Sequence, residues 1–299
     1  MSKQPNFFKR NWRAFFIVVL GLPALAVVTI ALLSQRRLGA DFSGVKSTLS
    51  SSFTGDVERG RYAARTRGCM DCHGEDFTGQ VMVDGPVLRL VASNLTAPTS
   101  ASIDASRFDL ALRHAVGGGG RPLIGMPSGA YSGMSDEETA DLRAYLLSLP
   151  AVTNELPASG LDWPGRTLMV LGQISPLEAE SIDHSRRAPS RSPAKSNSVE
   201  YGRYVALTCQ GCHGDDLAGG QRHGPPDFPE SANLTRHADG IATWTLSDFR
   251  RALREGIRPD HSAIDARAMP IGSTKALDDT DTAAMWLFMR QLEPRPSKR

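Results

Sequence analysis

The sequence predicts a mainly α protein: an N-terminal transmembrane helix followed by two tandem, all-helical domains. Three observations predict it. Residues 14–33 form a run of twenty without a charge near the start of the 299-residue chain. Beyond residue 54 the sequence repeats itself. Within each copy, apolar residues recur at the spacing of one helix face rather than with the alternation of a strand.

Twenty apolar residues are about what a helix needs to cross the hydrocarbon core, and Gly21 and Pro23 inside the run are tolerated there. Lys3, Lys9, Arg10 and Arg13 precede the run, whereas Arg36 and Arg37 follow it. The positive-inside bias therefore keeps residues 1–13 cytoplasmic and exports the remainder. A cleaved signal peptide is the alternative. Its apolar region is shorter, about 7 to 15 residues, and ends in an A-x-A-like site. Leu32-Leu33-Ser34-Gln35-Arg36-Arg37 offers no such site, so the expectation is a retained anchor in a bacterial inner membrane. Residues 34–53 then read as a Ser-rich stalk in the periplasm.

The two copies span 54–150 and 199–299, joined by 151–198. Glu58-Arg59-Gly60-Arg61-Tyr62 matches Glu200-Tyr201-Gly202-Arg203-Tyr204, and Asn94-Leu95-Thr96 matches Asn233-Leu234-Thr235. FDLALR at 108–113 matches FRRALR at 249–254. Helices are predicted at 58–67 and 200–208, and again at 106–116 and 246–256. The final helix of the first copy starts at Ser135, where Ser135-x-x-Glu138 has the form of a capping box. Its stripe is Leu142, Tyr145, Leu146 and Leu149, with Pro150 as the stop. The second copy uses Asp278 as cap and Met285, Phe288, Met289 and Leu292 as stripe. In the joining segment, 161–174 reads as a short ordered element with an apolar face. Residues 185–198 (SRRAPSRSPAKSNS) have the composition of a flexible connector.

Charge excludes one class of function. The net charge is +2, with nine Lys/Arg against twelve acids over 54–150 and thirteen against fourteen over 199–299. Neither copy has the basic footprint of nucleic-acid binding.

The chemistry lies in two short motifs that use every cysteine of the chain, Cys69-Met70-Asp71-Cys72-His73 and Cys209-Gln210-Gly211-Cys212-His213. Cys-x-x-Cys-His is the attachment signature of a c-type haem. Two thiols one helical turn apart add to the porphyrin vinyl groups, and the adjacent histidine becomes the proximal iron ligand. A closed zinc site needs four N/S ligands, and a thioredoxin-like motif needs a βαβ pattern. Neither explains a histidine directly after the second cysteine in both copies. The expected cofactors are two covalently attached haem c groups, each with its iron. Folding should depend on them, since a domain of about 100 residues with long loops buries little core by itself.

A six-coordinate iron needs a second axial ligand. Of nine methionines, Met126 and Met269 alone occupy equivalent positions, 53 and 56 residues after their histidines and each followed by proline. Met285 and Met289 align with Leu142 and Leu146, and Met134 with Leu277, so these read as core. Met82 has no methionine counterpart. His223, His237 and His261 lack histidine counterparts, and His114 aligns with Glu255. The ligand pairs are therefore His73 with Met126 and His213 with Met269. Met/His ligation raises the potential and closes the sixth position, which points to electron transfer and away from catalysis. Each proximal histidine also needs a carbonyl for its Nδ1–H, and those of Pro86 and Pro225 are the expected sources.

With these residues in view, each copy resembles a small monohaem cytochrome c domain. Asn-Leu-Thr, Trp244-Thr245, F-x-x-A-L-R and Met-Pro together resemble the multihaem cytochrome c subunits of membrane-bound bacterial alcohol, sorbitol and gluconate dehydrogenases. Trp163-Pro164 to Ile174 is similar to their joining element, and the resemblance covers about residues 56–292. Those subunits typically carry three haem domains, where this chain has two. The resemblance implies a membrane-anchored periplasmic dihaem cytochrome. It would carry electrons from a dehydrogenase or quinol-oxidising donor to a soluble cytochrome or terminal oxidase, rather than act as an enzyme. The alternative is a dihaem cytochrome c peroxidase-like enzyme, which would need an open sixth position that the paired methionines deny.

Overall fold

The computed structural model describes residues 17–50, 52–96, 104–224 and 227–298; the predicted cytoplasmic segment 1–13, residues 14–16 of the apolar run and Pro225 lie outside them. A helix, α1 (Leu22–Leu38), carries Pro23 in its first turn, where a missing N–H leaves no partner unsatisfied. It continues five residues past Leu33. Leu20, Leu22, Leu25, Val28 and Leu32 are exposed, and Val19–Leu38 is long and apolar enough to cross a membrane, as an anchor or a signal sequence. Its far end docks on protein. Leu38 packs with Leu161, Met169 and Leu177, and Arg37 donates to the Met169 carbonyl at 2.6 Å and to Glu180 at 3.0 Å.

The first domain is built from α2 (Val57–Thr66), α3 (Cys69–His73), α4 (Ala105–His114) and α5 (Asp136–Ser148). Between the domains lies α6 (Trp163–Val170). The second domain comprises α7 (Val199–Val205), α8 (Leu207–His213), α9 (Leu246–Glu255), α10 (Ile271–Thr274) and α11 (Asp279–Met289). Short polar caps start these helices: Asp56, Asp104, Ser135, Ser198, Thr245 and Asp278 each accept from a backbone N–H of the first turn. The predicted helices of the two copies are all present, with ends within three residues of expectation.

Both repeats use the same packing device. Their first and last helices cross so closely that glycine is required. A Cβ on Gly60 would lie 1.9 Å from the Asp141 carbonyl oxygen, and one on Gly202 would lie 1.9 Å from that of Ala284. The repeated arginine of the middle helix ties down the start of the last. Arg113 donates to the Met134 carbonyl (3.0 Å) and to Asp136 (2.9 Å). Arg254 donates to the Leu277 carbonyl (3.1 Å) and to Asp279 (2.8 Å). Met134, Met285 and Met289 are buried in the two cores, as their alignment with leucines implies.

Beyond the length of α1, the fold departs from the sequence reading at four places. The first domain is not purely helical: among the described residues, its β1 (Gln80–Asp84) and β2 (Leu88–Ala92) form an antiparallel sheet that β3 (Gly160–Leu161) of the joining segment extends, in the order β1-β2-β3. The pairing of β3 is non-local, and a two-residue strand has no periodicity to read. The stalk lies along the first domain: Phe42 donates its N–H to Gly120 (2.8 Å), and the Ser47 hydroxyl donates to Asp109 (2.7 Å). Residues 185–198 are docked rather than a loose connector. Their carbonyls at Pro189 and Ser190 accept the N–H groups of Asp136 and Glu137 at the start of α5, and Lys195 pairs with Asp278 at 2.6 Å. Free helix N-termini and acidic first turns attract this basic, carbonyl-presenting segment.

The fourth departure is the capping box at Ser135. Its hydroxyl accepts from the Glu138 N–H at 3.1 Å as expected, but the Glu138 carboxylate turns away. The Ser135 N–H donates instead to the hydroxyl of Tyr204, from the other domain, at 3.0 Å, and that hydroxyl donates to Glu138. The mirror contact also exists: the Asp278 N–H donates to the Tyr62 hydroxyl at 3.1 Å, which donates to Asp281. Each domain's repeated tyrosine thus caps the other domain's final helix. Burial, with the neighbouring carboxylate, pushes both phenols up to about 12, so they stay neutral donors at physiological pH. Replacing either tyrosine by phenylalanine is expected to weaken domain docking by about 2 kcal/mol, the size of a hydrogen bond to a charged group. Limited proteolysis of the 185–198 segment reads this out: faster cleavage in both variants is expected, and unchanged cleavage would deny the tyrosines a docking role.

Candidate haem sites

Each Cys-x-x-Cys-His occupies a short helix that leaves through forced backbone, and the first is also entered through it. Gly68, at φ 79°, turns the chain into α3, and Gly74, at φ 84°, turns it out; Gly214, at φ 80°, does the same after α8. The spacing places both thiols of a pair on one face of a helical turn, and no disulfide joins them. Phe77 and Leu217, four residues after the histidines, both hold left-handed backbone at φ 61° and 57°. Full burial of their side chains and one matching backbone bond in each copy hold them there. Phe77 and Leu217 accept from the N–H groups of Leu95 and Leu234 at 2.8 Å each.

The histidines are oriented alike. Nδ1 of His73 lies 2.8 Å from the Ser93 carbonyl, and that of His213 lies 2.7 Å from the Ala232 carbonyl. A proton on Nδ1 donated there leaves Nε2 as the free ligand atom. These carbonyls replace the expected ones at Pro86 and Pro225. The reason is the loop that follows: Ser93 and Ala232 immediately precede the repeated Asn-Leu-Thr. Oδ1 of Asn94 accepts from Thr96 N–H and hydroxyl at 2.8 and 2.7 Å, and Oδ1 of Asn233 does so from Thr235 at the same distances. Their amides then reach past the final helix, to Val152 at 2.8 Å and Arg295 at 2.7 Å. The repeat was visible in sequence; its role as the clamp holding the histidine's acceptor was not.

Burial pushes both imidazoles below their ordinary range, against the hydrogen bond that favours charge. The neutral ring is the form that binds a metal. Burial also pushes the Cys69 thiol up to about 12 and that of Cys209 up to about 11.

In the second domain a cleft brings the predicted residues together. Cys212, His213 and Met269 line it with Ile241, Trp244 and Phe249. The cleft has a volume of about 260 Å³. In the first domain Met126 and Cys69 pack against the same core, beside Leu95. Both methionines sit in anchored turns: Ser128 Oγ donates to the Ala111 carbonyl at 2.8 Å, and Thr274 Oγ1 to the Leu253 carbonyl at 2.6 Å. A largely apolar cleft lined by one thiol, a neutral imidazole and a thioether, with the second thiol of the pair against the adjoining core, suits a covalently held haem.

Of the rejected candidates, all but His223 lie outside this cleft. Met82 is exposed on β1. His114 meets His184, Nδ1 to Nδ1, at 3.1 Å, and His237 meets Asp239 at 2.5 Å. His223 stands at the cleft mouth with Nε2 3.0 Å from the Cys212 carbonyl. His261 is exposed on a turn.

Known proteins resemble this chain over most of its length. The family profile described as Cytochrome c matches residues 57–150 and 199–293. The gluconate 2-dehydrogenase cytochrome c subunit of Pantoea cypripedii is 27% identical over 79% of this chain and 59% of its own length. The fructose dehydrogenase cytochrome subunit of Gluconobacter japonicus is 26% identical over 91% of this chain and 59% of its own. The cytochrome c subunit of the quinone alcohol dehydrogenase of Gluconobacter oxydans is 23% identical over 80% and 55%. The chain thus spans less than two thirds of these relatives. Two such domains imply covalent haem c and a part in electron transfer. The matched segments cover most of the chain, each contains one Cys-x-x-Cys-His motif, and the protein therefore belongs to the cytochrome c family as a pair of tandem cytochrome c domains.

Proposed function

We propose that this chain is a membrane-anchored, periplasmic dihaem electron-transfer subunit. It takes electrons from a dehydrogenase, of the kind whose cytochrome subunits it resembles, and passes them to a soluble cytochrome or terminal oxidase. Cys69 and Cys72 would hold one haem, with His73 and Met126 as the residues that bind its iron. Cys209 and Cys212 would hold the other, with His213 and Met269. The proposed domains are 54–150 and 199–299, joined by 151–198, with 14–33 as anchor and 34–53 as stalk.

The observation that carries this reading is the cleft in which Cys212, His213 and Met269 converge. Bound there, a haem supplies a one-electron Fe(III)/Fe(II) couple. The protein does the rest. Ser93 and Ala232 hold each imidazole in the tautomer that presents Nε2. Trp244, Phe249 and Leu253 make an apolar wall that keeps water away, which favours the less charged ferrous state. The thioethers of Met126 and Met269 would bind the iron and exclude substrate from it. The apolar exposed face of α1 suits lipid.

The test is intact mass and N-terminal analysis of the protein purified from membranes, followed by anaerobic mixing with the co-purified dehydrogenase and its substrate. Two added haems, an N-terminus before residue 14 and reduction of both haems are expected. A chain lacking two porphyrins, or holding zinc, would overturn the cofactor. A mature N-terminus beyond Leu33 would overturn the anchor alone.

A further inference from the structure

We infer that Arg67 is a positioning residue shared by both haem sites, a single buried guanidinium that locks the two attachment segments together and sets the potential of both haems. The inference rests on the haem attachment proposed above.

Arg67 is the C-cap of α2, two residues before Cys69. Its side chain leaves its own domain. Nη1 donates to the Tyr204 and Val205 carbonyls at 3.3 and 3.1 Å and to the Thr208 hydroxyl at 3.0 Å. The two carbonyls belong to the end of α7, where a cation is favoured, and Thr208 immediately precedes Cys209. Nε and Nη2 form a two-bond fork with Glu138 of α5 at 2.9 and 3.1 Å. The Arg67 carbonyl accepts from Tyr131, in the turn that follows Met126-Pro127, at 2.9 Å. One residue therefore touches the approaches to both cysteine pairs and the turn behind one methionine.

The surroundings show that the two attachment helices meet here. The hydroxyl of Ser273, in α10 just after Met269-Pro270, donates to Asp71 between the first pair of cysteines. Reciprocally, a Cβ on Gly211, between the second pair, would lie 3.2 Å from Ala130 in the turn after Met126. Each attachment helix leans on the turn behind the other domain's methionine, and Arg67 lies at that junction. It has no repeat counterpart. Seven positions separate Tyr62 from Cys69 but five separate Tyr204 from Cys209, so one side chain serves both sides.

The guanidinium is 6% exposed as a residue, so its field is little screened by water or salt. A fixed cation near an iron favours Fe(II), the form with one less positive charge. Glu138 offsets this only in part, because its carboxylate binds one edge of the guanidinium while Nη1 points into the second domain. The charge of Arg67 pulls down the thiols of both Cys69 and Cys209 against their burial, which agrees with a field reaching both sites.

The experiment is a spectroelectrochemical titration of the full-length holoprotein and three variants, after haem stoichiometry has been measured. Arg67→Gln removes the cation and leaves Glu138, so both midpoints should fall. Each haem's oxidised-to-reduced ratio at fixed potential should change about tenfold, or ~59 mV. Glu138→Gln keeps the cation and should raise both midpoints. Arg67→Lys keeps the charge and should leave both near wild type. Opposite signs for Arg67→Gln and Glu138→Gln cannot come from a loosened interface, which would move both variants the same way. Should Arg67→Gln fail to assemble, an upward shift of both midpoints in Glu138→Gln together with unmoved midpoints in Arg67→Lys still supports the inference. Shifts of one sign, a shift in one haem only, or none in a protein with two haems would overturn it. Absence of haem from the wild-type chain would overturn the underlying reading instead.

Discussion

Replacing Met269 with alanine is expected to leave both haems attached and to lower the midpoint potential of one of them by a few tenths of a volt. The magnitude follows from the roughly 0.8 V range over which axial ligands set haem potentials. Attachment survives because Cys209, Cys212 and His213 lie on α8, which the substitution does not touch. The potential falls because a soft thioether favours ferrous iron, and water or an empty position does not. Met126→Ala should produce the same change in the other haem, which also assigns the two midpoints. Core methionines give the contrast. Met134→Ala and Met285→Ala remove buried side chains and should cost about 2–5 kcal/mol of stability, with the ligand-sensitive spectrum of the ferric protein unchanged. If Met269→Ala left spectrum and potential as they were, the sixth ligand would have to be sought elsewhere.

The largest effect on folding is expected at the helix crossings. In Gly202→Ala the new methyl group would sit 1.9 Å from the Ala284 carbonyl oxygen and 2.8 Å from the Met285 nitrogen. Both are backbone atoms of a helix and cannot rotate aside, so α7 and α11 must separate. Overpacking of a core typically costs about 1–3 kcal/mol, and here it opens the packing on which the second cleft stands. We expect at least about 3 kcal/mol, a large part of the roughly 5–15 kcal/mol that holds a domain folded. The expected readout is a lowered melting temperature and a yield of protein with one haem instead of two. Gly60→Ala should do the same to the first domain, through the Asp141 carbonyl. Gly118, with nothing within 4 Å of its Cβ position, is the control: alanine there should be almost silent. Normal haem content in Gly202→Ala would show that the crossing tolerates separation.

Much of this was legible because the chain is written twice. Duplication separates residues kept by the fold from residues that merely occur, and it singled out Gly60 and Gly202, Tyr62 and Tyr204, and Met126 and Met269 without any structure. Periodicity and capping gave the helices, because both are local properties of consecutive residues. What duplication could not give was the job of each repeated residue. The tyrosines were marked as equivalent, but that each caps the other domain depends on how the domains dock. The docked path of 185–198 is not legible in sequence for a similar reason, since its composition is that of a solvated connector and its partners lie some fifty to ninety residues away.

The sequence by itself determined the paired Cys-x-x-Cys-His motifs, the repeated methionines, the helices and the apolar N-terminal segment, all of which follow from residue type and short spacing. The tertiary structure alone decided which carbonyls receive the histidines, where β3 pairs, and that Arg67 spans both attachment sites. Those contacts join residues up to about 140 positions apart. Their geometry is fixed by the packing of helices against one another, and no local pattern along the chain encodes it.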